Sequence, residues 1–112
     1  MKSNLFLPDT SATLTMMDNE EGADIVENIL RTKKIVFSAI VLFEVYYKTI
    51  RYQGLEAAQL RYATLKRIKA DHISELTEPV LLKGGEIKAV HQISLAGSII
   101  VAHAFIYDIN TD

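Results

Sequence analysis

The chain has 112 residues, 49% of them apolar and 23% charged, a globular composition that excludes a disordered polypeptide. It has no cysteine, so disulfides and thiolate metal sites are excluded, as fits a reducing cytoplasm. A formal net charge of −2 gives no overall attraction to nucleic acid. The amino terminus runs from one lysine through Asn4 to Leu7 and then Pro8, too short for a signal peptide. The longest apolar run, Ile35 to Phe43, is interrupted by Ser38 and ends at Glu44, well short of the roughly 20 residues that span a bilayer. These features predict one soluble cytoplasmic domain over residues 1–112, with no membrane partner.

In chain order, Leu5-Phe6-Leu7 is a short apolar run ending in Pro8-Asp9-Thr10-Ser11, which predicts a buried strand stopping at a helix cap. "SATLTMMDN" suits one or two helical turns. "EEGADIVENILRTKK" carries Ala23, Ile25, Val26, Ile29 and Leu30, the stripe of an amphipathic helix. "KIVFS" is a second short strand, with Ser38 placed to cap the apolar helix "AIVLFEVYYKTIRYQG", which Gly54 ends. The next helix, "LEAAQLRYATLKRI", should turn Leu55, Ala58, Leu65 and Ile68 to the core. "KADHISEL" contains a third strand. "TEPVLLKGGEIKAVHQI" is a helix weakened by Gly84-Gly85, after which Ser94 caps a final helix to about Tyr107.

Short apolar strands alternating with helix pairs predict an α/β protein whose parallel sheet is covered on both faces. Ligands of such sheets bind outside the carboxyl ends of the strands. Asp9 lies at one such end. Glu44, two turns into the helix after the second strand, can lean over the same rim. Charge is unevenly spread: Asp9, Asp18, Glu20, Glu21, Asp24 and Glu27 carry the first part, while Lys48, Arg51, Arg61, Lys66, Arg67 and Lys69 face a single acid, Glu56. This is either a basic flank beside an acidic pocket, suited to an anionic substrate, or two solvated helix faces.

Three segments carry a resemblance: "FLPDTSA" near the start, "FSAIVLFEVYYKTIR" in the middle and "ISLAGSIIVAHA" near the end. In this order and spacing the chain resembles PIN-domain proteins, in particular the VapC-type ribonuclease toxins of prokaryotic toxin–antitoxin pairs. The resemblance implies a PIN-like three-layer α/β/α fold with a short parallel sheet in the order 3-2-1. It implies that Asp9 and Glu44 are catalytic carboxylates that hold Mg²⁺ or Mn²⁺, hard cations preferring oxygen ligands. Such a metal would lower the pKa of a bound water for attack on a phosphodiester. It further implies an RNA substrate, a cognate antitoxin and a homodimer.

The chain departs from that pattern in three places. Gly97 stands where the family places its third acid. After the last helix, where relatives add a strand that often ends in a fourth acid, "YDINTD" has no apolar strand and offers only Asp112. Pro8 suits an edge strand better than a central one, so the terminal strands are expected to be missing and the first strand to lie at the edge. The expectation is therefore a degenerate or shortened member, inactive or severely weakened. The alternative is a non-catalytic interaction module or a relic.

Several residues admit a plainer role. Asp9 is either a metal ligand or a helix N-cap. Glu44 is either part of a polar site or a boundary residue paired with Lys48. His72, His91 and His103 share no ligand spacing. Tyr46, Tyr47, Tyr52 and Tyr62, interleaved with Lys48, Arg51 and Arg61, form either an RNA-contacting face or helix packing in a dimer.

Overall fold

A computed structural model describes residues 5–18 and 33–111. The elements are β1 (Leu5–Leu7), α1 (Thr10–Asp18), β2 (Lys34–Ser38), α2 (Ala39–Gln53), α3 (Leu55–Arg67), β3 (Asp71–Ile73), α4 (Glu78–Val90), α5 (Leu95–Tyr107) and β4 (Asn110–Thr111). Of the helix expected over residues 20–34, residues 20–32 lie outside the described residues, while Lys33 forms a bend and Lys34 opens β2. The strands form one parallel sheet in the order β3-β2-β1-β4. Ile35, Val36 and Phe37 point to alternate faces, yet all three are buried, so both faces of the sheet are covered. The three-layer α/β arrangement follows from that pattern.

The expected order 3-2-1 is present, and β4 continues it on the far side of β1. Phe6 is paired with Asn110, and Leu7 with Thr111. β1 is therefore not an edge. Pro8 follows the strand, so its missing N–H removes no rung from the ladder.

β4 escapes sequence reading because it has two polar residues and takes its conformation from its neighbour. The chain reaches it through a specific helix end. Asp108 adopts the left-handed conformation at φ 55°. Its N–H donates to the Phe105 carbonyl at 3.3 Å, and the Ile109 N–H donates to Ala104 at 2.9 Å. This is a Schellman closure, completed by Ile109 packing against the core. A non-glycine residue there costs about 1 kcal/mol, which core contact by Ile109 offsets.

The helices pack largely in pairs, α2 with α3 and α4 with α5, and α2 also meets α1 and α5. Gly54 makes the sharp α2–α3 junction at φ 96°, a value that L side chains rarely adopt. In α3, Ala58 and Leu65 are buried as expected, whereas Leu55 is 53% exposed. It follows the turn directly, beyond the end of the contact made by the other two. Helix α4 runs through Gly84-Gly85 without a break. A Cβ at Gly84 would lie 3.6 Å from both the Ala102 Cβ and the Ser98 carbonyl, which marks the close crossing with α5. Tertiary packing thus outweighs a helix-propensity penalty of about 1 kcal/mol per glycine.

Candidate functional site

The rim at the carboxyl ends of β1 and β2 is built by two helix starts. Asp9 is half-buried and caps α1: its Oδ1 accepts from the Ala12 N–H at 2.8 Å. The Asp9 carbonyl accepts from the Thr13 N–H at 3.0 Å and from the Thr13 hydroxyl at 2.8 Å. Its side chain therefore makes the cap bond anticipated as one of its two roles. The adjacent residue, Thr10, is buried, and its hydroxyl donates to Glu44 Oε1. Glu44 is half-buried on α2, and among the described residues no ion pair joins it to Lys48. A carboxylate in an otherwise apolar stretch needs a donor, and Thr10 supplies it. Asp9 and Glu44 are thus tied to one corner through neighbouring residues, each with one carboxylate oxygen outside these bonds.

Gly97 occupies a different setting. Ser94 caps α5, its hydroxyl accepting from the Gly97 N–H at 3.0 Å. A Cβ at residue 97 would meet Ile93 Cγ1 at 2.9 Å, Ser94 Oγ at 3.0 Å and Ile93 Cδ1 at 3.2 Å. Asp112 lies outside the described residues. Two carboxylates suit a hard divalent cation in kind, and Mg²⁺ held by so few takes its remaining octahedral positions from water or substrate phosphate. Among the described residues no group of three or more His, Asp or Glu side chains could hold a metal ion. Among the described residues, at most two such side chains therefore meet at this corner.

Beneath this rim, His103 joins separate parts of the chain. It is 1% exposed; its Nε2 lies 3.1 Å from the Glu75 carbonyl and its Nδ1 2.9 Å from the Ser38 hydroxyl. A carbonyl only accepts, so Nε2 carries the proton and Nδ1 accepts from Ser38. Ser38 Oγ in turn accepts from the Ile40 N–H at 3.3 Å, capping the helix that carries Glu44. His103 therefore pins α2 to α5. Only its position in an apolar helix hints at this in the sequence, since both partners are distant along the chain.

The other two histidines stand apart. His91 is exposed at the end of α4, and His72 on β3 lies 5.9 Å, centroid to centroid, from the Phe37 ring. Partial burial, then the Lys66 charge, lower the His72 pKa, with Asp71 opposing them. On the aromatic–basic face, Tyr46 meets Tyr62 edge-on at 5.8 Å and Arg51 lies over Tyr47. Arg61 is held within the molecule, donating to Asp18 at 2.6 Å and to Thr49 at 3.4 Å. Beside these rings, Ala39, Leu42, Phe43, Tyr46, Gln59 and Tyr62 line an apolar cavity of about 500 Å³ between α2 and α3.

The family model for the PIN domain matches residues 6–111. The chain belongs to the PIN domain family. Comparison with curated protein sequences finds no match. Several solved structures share the PIN fold. The VapBC2 structure from Rickettsia felis, bound to a DNA fragment from its promoter, superposes with a TM-score of 0.75 at 16% identity, covering 96% of this chain and 85% of that one. VapC20 of Mycobacterium tuberculosis, described as a sarcin-ricin loop cleaving toxin, gives 0.70 at 18% identity, covering 95% and 86%. VapBC-1 of nontypeable Haemophilus influenzae gives 0.68 at 18% identity, covering 96% of both chains. At these identities the likeness concerns the fold. No helix among the described residues of this PIN domain is long and apolar enough to cross a membrane.

Proposed function

We propose that this protein is a VapC-type PIN domain whose metal-dependent RNA cleavage is severely weakened or lost. One observation carries the reading. Thr10 links the segment of Asp9 to Glu44, so two family acids share one corner, while no third acidic or histidine ligand joins them among the described residues. PIN-domain nucleases generally use divalent metals, and Asp9 and Glu44 are the residues that would contribute ligands here. Two carboxylates leave most coordination positions to water, so Mg²⁺ or Mn²⁺ should bind weakly.

The test is cleavage of RNA with Mg²⁺ or Mn²⁺, with a chelator control and the variants Asp9→Asn and Glu44→Gln. The expected result is absent or very slow cleavage, with any residual activity lost in both variants and on chelation. Fast metal-dependent cleavage abolished by either variant would contradict the weakening. Cleavage surviving both would remove Asp9 and Glu44 from the chemistry.

The cavity between α2 and α3 favours a second reading, a retained interaction module. Phe43 at its rim is 61% exposed, and nearby Leu60 is 68% exposed. Exposed apolar surface of this kind marks protein contacts. Two of the similar structures are VapBC complexes, so the partner proposed is a cognate antitoxin, with a homodimer as the other use of the face. Light scattering of the purified protein with and without Phe43→Asp tests the dimer; a monomer in both cases would exclude it.

A further inference from the structure

The disagreement between the residues present and a PIN metal site has a local cause beyond the missing acid. We infer that Ile93 and Gly97 form a coupled pair, in which the isoleucine side chain stands where a side chain at residue 97 would begin. Restoring an acid at residue 97 alone therefore cannot complete the rim. This rests on the reading of Gly97 as the third-acid position.

The geometry is tight on two sides. At 2.9 Å from Ile93 Cγ1, an added Cβ falls below any real contact distance, and that atom lies next to the branch point, not at a flexible tip. A β-branched side chain has few χ1 alternatives through which to withdraw. The Ile93 backbone is also held: its carbonyl accepts from the Lys88 ammonium at 3.0 Å, and its N–H donates to the His91 carbonyl at 3.0 Å. On the other side, Ser94 Oγ lies 3.0 Å from the added Cβ, and that oxygen is already committed to the Gly97 N–H. A carboxylate at residue 97 must therefore displace the isoleucine, while the Ser94 cap can accommodate an acid three residues on.

Gly85 provides an internal contrast. A Cβ there meets nothing within 4 Å. The obstruction at residue 97 thus belongs to its neighbours and is not general to helical glycines of this chain.

The experiment compares the parent, Gly97→Asp, Ile93→Ala and the double variant by thermal unfolding and by Mn²⁺ titration calorimetry. Gly97→Asp alone should lower Tm by about 5 °C and bind Mn²⁺ no better than the parent. The double variant should be more stable than the sum of the single effects and bind Mn²⁺ at least about tenfold tighter than Gly97→Asp. Additive Tm changes, or Mn²⁺ binding by Gly97→Asp equal to that of the double variant, would overturn the inference while leaving the metal-rim reading intact. Coupled Tm changes with no Mn²⁺ binding by the folded double variant would instead overturn that underlying reading.

Discussion

The Asp9–Glu44 corner and the start of α5 differ in how their helix caps relate to chemistry. At the first, one residue is given two tasks: Asp9 caps α1 through a side-chain oxygen and is the proposed metal ligand, so a capping side chain is retained there by folding as well as by any function. At the second the roles are divided, because Ser94 supplies the cap and residue 97 contributes only its N–H. A residue that also caps a helix is costly to replace with one that cannot cap. An acid beside an independent cap can vanish at little structural cost, and the space it leaves can be filled by a neighbour such as Ile93. A PIN domain can thus keep its architecture with glycine at residue 97, since the cap of α5 does not depend on a side chain there.

The largest expected effect tests the link between the two regions. His103→Ala removes the bonds to Ser38 and Glu75 and opens a cavity between α2 and α5, at a cost of about 2–4 kcal/mol. Urea denaturation measures it; a loss under about 1 kcal/mol would mean that the regions are held by other contacts. Next, Asp9→Ala should cost about 1 kcal/mol, whereas Asp9→Asn, which keeps a capping oxygen, should be close to neutral. Equal losses in both would show that the charge, and not the cap, retains Asp9.

The glycines sharpen the contrast further. Gly85→Ala should stabilise by about 0.5–1 kcal/mol, because the helix gains propensity without a clash. Gly97→Ala should fail to do so. A matching gain at both positions would remove the crowding ascribed to Ile93.

The smallest effect lies away from both regions. The lowered His72 pKa means that, between that value and the ordinary 6.5, the unfolded chain binds more protons than the folded one. Stability should therefore fall slightly as pH drops through this window. An NMR titration should place the His72 midpoint below 6.5, and Lys66→Ala should raise it. A midpoint above 6.5 would contradict the assignment.

Much of this was legible in the chain. Strand and helix existence followed from apolar runs, and Ser38, Ser94 and Gly54 marked helix boundaries because capping chemistry is local. What escaped reading depends on distant partners. Two polar residues become β4 only beside Phe6 and Leu7. Thr10 reaches Glu44 across 34 positions and Ser38 reaches His103 across 65. Both roles of Asp9 are consistent with its place before a helix, and the bond from the Ala12 N–H fixes the cap. The absence of an acid at residue 97 was visible at once; its occupation by Ile93 was not.

The central claim is that this rim lacks a complete set of metal ligands, and calorimetric titration of Mn²⁺ into the unaltered protein tests it most directly. The account predicts no saturable heat at concentrations that saturate the Ile93→Ala/Gly97→Asp variant. Tight binding by the unaltered protein, abolished by Asp9→Asn, would contradict it.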